Sequence, residues 1–119
     1  MMIFHITTSE AWQAAKASGA YRAPSLDAEG FIHCSTREQV LPVAENFYQG
    51  QDGLMLLVIN PDRLDTTLKW EPPAGGGPPP GVDEDKMFPH VYGEINVEAV
   101  VDTVSFERNS AGNFIMPAI

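Results

Sequence analysis

A chain of 119 residues with 44% hydrophobic and 19% charged residues has the size and composition of one globular domain, here taken as residues 1–119. Sixteen acidic against seven basic side chains leave a net charge of −9, which excludes a general nucleic-acid binder or a partner for anionic membranes, since both need a basic footprint. The longest apolar run, Leu54 to Ile59, is too short to span a bilayer. The opening Met-Met-Ile-Phe-His lacks a basic stretch followed by a long apolar one, so no signal peptide is expected. The single cysteine, Cys34, rules out an internal disulfide and fits a reducing, cytoplasmic compartment.

Residues 2–7 alternate as a strand, with Ile3, His5 and Thr7 on one face and Phe4 and Ile6 on the other. Thr7 and Glu10 have capping-box spacing ahead of an alanine-rich helix from about Ser9 to Ser18, and Gly19 is its stop signal. Residues 20–26 read as extended or irregular because Pro24 biases Ala23 away from helix, and residues 27–30 read as a turn. The stretch Gly30-Phe-Ile-His-Cys-Ser-Thr36 reads as a short strand, with Phe31, His33 and Ser35 on one face. Ser35 and Thr36 each stand three residues before Glu38 or Gln39 and can open a helix over 37–48, whose regular part starts near Leu41 so that Pro42 falls in its first turn.

A continuous apolar strand follows at 54–59, covered on both faces. A turn spans 60–62 and a strand 66–71, with Leu68 and Trp70 on one face. Residues 72–86 are a flexible Pro/Gly-rich surface loop by composition. Order resumes at Met87–Gly93, where His90 and Tyr92 share a face. A turn or 3₁₀ segment over 96–99, a strand over 100–106, a turn over 109–113 and a last short strand over 114–116 complete the chain. This order fits an α+β domain rather than a doubly wound one.

All three histidines have apolar neighbours: Phe4-His5-Ile6, Ile32-His33-Cys34 and Pro89-His90-Val91. A buried imidazole needs a partner for each ring nitrogen, and clustering is one way to supply them. Three readings follow. The histidines bind a metal, although no short metal-ligand spacing is present. They line a polar cleft for a small ligand, with acid–base roles. Or they are structural. Tyr21 and Arg22 on the loop after the first helix are candidates to line such a cleft, and so are the hydroxyls of Ser35 and Thr36 at a helix start.

Ile3-Phe-His-Ile6, Gly19-x-Tyr21-x-x-Pro24-Ser25-Leu26, Glu29-Gly-Phe-Ile-His-Cys-Ser-Thr36, Leu68-x-Trp70-Glu71 and Phe88-Pro-His-Val-Tyr-Gly93, in that order, resemble the domain-of-unknown-function 952 family. The resemblance implies an ADP-ribosyltransferase-like fold of split small β-sheets with two main helices around a cleft for a nucleotide such as NAD. His5 matches the first-strand residue that meets a ribose. Gly30-Phe-Ile-His-Cys-Ser35, with Phe47 or Tyr48 from the following helix, matches the pocket-lining strand. The late-strand glutamate of that superfamily has no clear counterpart; Pro89-His90-Val91-Tyr92 stands in its region and Glu94 slightly later.

The implied protein binds NAD, ADP-ribose or a phosphorylated nucleoside as a small-molecule ligand and acts as a transferase. His33 or His90 moves a proton with Tyr92 beside it, and Arg22 meets a phosphate. His5, Tyr21, Ser35, Thr36 and Tyr48 contact the ligand. NAD is the one cofactor suggested. A non-catalytic module that senses a nucleotide or peptide, and a three-histidine metal enzyme, are the alternatives.

Overall fold

The computed structural model describes residues 1–73 and 86–119. Most of the segment 72–86 read as a loop therefore lies outside the described residues. The elements run β1 (Ile3–Thr8), α1 (Ser9–Ser18), β2 (Ala20–Tyr21), α2 (Pro24–Glu29), β3 (Ile32–His33), α3 (Val40–Phe47), β4 (Leu54–Ile59), a 3₁₀ turn (Pro61–Arg63), β5 (Thr67–Glu71), β6 (Phe88–Tyr92), β7 (Ile95–Asn96), a 3₁₀ turn (Val97–Ala99) and β8 (Val100–Phe106). They form three antiparallel sheets, ordered β1-β4-β8, β2-β7 and β3-β6-β5.

The central sheet is covered on both faces, as the unbroken apolar run of β4 requires. Side chains alternate across a strand, so Ile3, Leu57 and Ile59 enter one core with Trp12 and Ala15 of α1, Ile32 of β3 and Val91 of β6. Phe4, Ile6, Leu54, Leu56 and Val58 enter a second core with Val40 and Ala44 of α3, Phe106 and Phe114. Helix α1 starts at the cap Thr8, whose hydroxyl accepts from the Ala11 amide at 3.1 Å, one residue later than the expected capping box. Gly19 ends it in the left-handed conformation, as expected.

Three expectations change. Residues 24–29, read partly as irregular chain and partly as a turn, form helix α2. Pro24 stands at its first turn, where the missing amide costs nothing, and Gly30 closes it at φ 88°. There are thus three helices among the described residues instead of two. The helix after β3 begins at Val40, within one residue of the expected regular start near Leu41 and with Pro42 in its first turn, but neither Ser35 nor Thr36 caps it. Ser35 instead pairs with Phe4, each amide donating to the other's carbonyl at 2.8 Å, so the helix-start site imagined at the two hydroxyls does not form. The expected strand at 114–116 reduces to a single bridge between Arg108 and Phe114.

The Phe4–Ser35 bridge joins two sheets. Ile32 and His33 pair with Val91 and His90 of β6, the Cys34 amide donates to the Pro89 carbonyl at 3.1 Å, and Ser35 then crosses to β1. The chain between residues 32 and 35 therefore belongs to both.

Candidate functional site

The candidate residues separate into two sets, one inside this junction and one outside it.

His5 leads the inner set. Its Nδ1 lies 2.6 Å from the His33 carbonyl and its Nε2 lies 2.8 Å from the Tyr21 hydroxyl, which lies 2.9 Å from the Thr7 hydroxyl. A carbonyl only accepts, so Nδ1 carries the proton; in the neutral ring Nε2 then accepts the Tyr21 proton. Burial pushes His5 down to about 4, against a smaller upward pull from the His33 carbonyl. It is thus neutral near pH 7 and has both nitrogens engaged within the protein. Burial likewise pushes up the hydroxyl of Tyr21, and that of Tyr48 with a contribution from the Cys34 thiol. His5 and Tyr21 are buried in the interior, and Tyr48 is half-buried against the second core.

The outer set stands on one face of the β3-β6-β5 sheet. Period two puts His90 and Tyr92 of β6 on that face, and the register Lys69↔His90 and Glu71↔Phe88 adds Lys69 and Glu71 of β5. Leu68, Val91 and Ile32 point the other way, into the core. His90 Nδ1 donates to Glu71 Oε1 at 2.9 Å, and the Tyr92 hydroxyl donates to the same oxygen at 2.6 Å. The Tyr92 bond, then the His90 bond, lower the Glu71 carboxyl below its usual range; the same carboxylate raises Tyr92.

From the other side, His33 Nε2 donates to Glu29 Oε2 at 2.8 Å. Glu29 is the last residue of α2, and the left-handed Gly30 turns the chain so that His33 meets it. The two imidazoles stand edge to face with centroids 5.5 Å apart. Phe31 stacks on His90 at 4.1 Å and meets His33 edge-on at 4.8 Å. The Lys69 ammonium lies over the Tyr92 ring, 4.7 Å from its centre.

The His90 side chain is only 3% exposed. Its Nε2 has no partner among the described residues. The result is an imidazole fixed by a carboxylate through one nitrogen, with the other unengaged among the described residues. A general base is built this way.

The remaining candidates are elsewhere. Arg22 pairs with Asp27, and with Glu94 at 3.5 Å, so a phosphate would compete with two carboxylates for it. Ser35 is buried in the sheet junction. The Thr36 amide donates to Gln39 Oε1 at 2.9 Å, and Gln39 Nε2 donates to the Met87 carbonyl at 2.9 Å. Among the described residues no group of three or more His, Cys, Asp or Glu is placed to hold a metal ion, and the three histidines do not converge.

Glu29 and Glu71 were missed as members of the site. Period two in β5 already set Glu71 beside Lys69, opposite Leu68 and Trp70, but its partner strand was needed to bring it to His90. No helix among the described residues is long and apolar enough to cross a membrane.

Fold and site together define a small α+β protein with two carboxylate–histidine couples on one sheet face. The chain belongs to the family described as Protein of unknown function (DUF952), whose model matches residues 6–103. Among solved structures it is similar to the crystal structure of protein CC0527 from Caulobacter crescentus, at 31% identity over 97% of this chain and 94% of that one, with a TM-score of 0.80. The solution structure of CC0527 matches at 32% identity over 94% and 90% of the two chains, with a TM-score of 0.75. No curated protein matches the chain.

Proposed function

We propose that the chain binds a nucleotide-like small molecule, of the NAD, ADP-ribose or phosphorylated-nucleoside type, at the outer face of the β3-β6-β5 sheet. It acts there by proton transfer. His90 is the base, held by Glu71 and with Tyr92 on the same carboxylate. His33, held by Glu29, is the second acid–base group. An ADP-ribosyltransferase-like fold and a transferase reaction are the form of this reading that the motif resemblance supports.

The observation that carries the reading is the His90 ring: almost fully buried, anchored at Nδ1 by Glu71 at 2.9 Å, and without a partner at Nε2 among the described residues. A purely structural histidine would have both nitrogens engaged, as His5 does.

A thermal-shift and calorimetric screen against NAD, ADP-ribose and nucleoside phosphates tests it. Ligand at about a hundred times its Kd stabilises the fold by roughly 2.7 kcal/mol, a rise of several degrees in Tm. That rise is expected in the wild type and lost in His90→Gln, with an unchanged circular dichroism spectrum. No shift with any of these ligands, or an equal shift in His90→Gln, overturns the reading. Binding without turnover of any bound ligand leaves a sensing module.

A further inference from the structure

The hydrogen-bond donors of the outer set are spent inside it. His33 Nε2–H goes to Glu29, while His90 Nδ1–H and Tyr92 O–H both go to Glu71. What remains for a ligand is acceptor capacity. In the neutral rings His33 Nδ1 and His90 Nε2 each offer a lone pair, and each carboxylate keeps an oxygen with no partner assigned above. A phosphate is itself all acceptors and negative, so it finds no donor at these groups and meets two carboxylates. The Lys69 ammonium, held over Tyr92, offsets part of that negative charge, which favours a neutral donor over a full cation.

We infer that the group seated against the two histidine–carboxylate couples is an uncharged hydroxyl donor of the kind a sugar presents, and that any phosphate of the same ligand lies outside the couples. The inference rests on the small-molecule reading above and names the end of the ligand that enters the site.

Nitrogen-15 histidine spectra and calorimetry on the whole chain decide it. The probes are adenosine and nicotinamide riboside, their 2′,3′-dideoxy analogues, inorganic phosphate, methylguanidinium and ADP-ribose. A nucleoside is expected to move the His90 Nε2 resonance, and removal of the two hydroxyls to weaken binding at least about tenfold. Glu71→Gln is expected to weaken the nucleoside and to leave phosphate without effect on His90.

If inorganic phosphate moves His90 Nε2 and binds more tightly to Glu71→Gln, or if methylguanidinium outcompetes the nucleosides there, the inference is overturned. Equal binding of the dideoxy analogues overturns it too, while ADP-ribose binding that is sensitive to His90→Gln keeps the reading beneath it. Failure of every probe, ADP-ribose included, removes both.

Discussion

His5 and His90 are both buried imidazoles, and the difference between them is the second nitrogen. In His5 it is closed by Tyr21, so the residue acts on stability. Its folded pKa of about 4 lies below the ordinary 6.5, and the unfolded chain takes up a proton that the folded chain refuses. Stability is therefore full above about pH 6.5, falls as pH drops toward 4 and levels off below that. The loss is of order 3 kcal/mol. Denaturant unfolding across this window should show that slope in the wild type and its removal in His5→Gln; parallel curves for the two proteins would refute the assignment. Glu71 makes a separate prediction. Because its carboxylate is the main cause of the raised Tyr92 hydroxyl, Glu71→Gln should bring Tyr92 back toward its ordinary value of 10. Carbon-13 spectra of ring-labelled tyrosine resolve this hydroxyl from those of Tyr21 and Tyr48.

Elements differ in how far their residues announce them. Strands β1, β4 and β8 were legible because apolar or β-branched residues dominate each and no Gly or Pro falls inside it. Helix α2 was not: Pro-Ser-Leu-Asp-Ala-Glu has no apolar stripe, and none of its residues is buried. Its signal was the bracket of Pro24 at the start and Gly30 at the end. Missing α2 meant missing Glu29, since only the end of that helix places it against His33. The Gly93 turn shows the same dependence on neighbours. Its φ is 151°, and a Cβ there would stand 2.6 Å from Thr66 Cγ2 and 2.9 Å from Thr66 Cβ. Gly93→Ala should cost roughly 2–3 kcal/mol. Adding Thr66→Gly should recover the steric part of the loss and not the backbone part. A double-mutant cycle by chemical denaturation measures the split.

Across the whole molecule, the central sheet divides two cores, and only one of them backs the site. Leu57 is fully buried in the core that contains Ile32 and Val91, while its neighbour Leu56 is fully buried on the opposite face with Phe106. Truncating either to alanine should cost about 2–5 kcal/mol. Leu57→Ala should also disturb the His33 and His90 resonances, and Leu56→Ala should leave them in place. Equal disturbance by both would mean that the sheet does not insulate the two cores. At this scale the sequence was least informative. Alternation told which residues share a face, but the pairing of β3 with β6, and the crossing of Ser35 to β1, depend on contacts far apart in the chain.

The order β1-β4-β8 has a consequence for how the protein is made. β1 is made before its sheet partner β4, which follows only after three helices and two short strands, and β8 closes the sheet later still. Until then Ile3, Phe4 and Ile6 have no sheet to join, so the nascent chain carries an unpaired apolar strand of the kind that chaperones hold. Such non-local closure is slow to form. The Phe4–Ser35 crossing ties that same strand to the sheet bearing His33 and His90, so the segment behind the outer face is anchored in two sheets that each close over long stretches of chain.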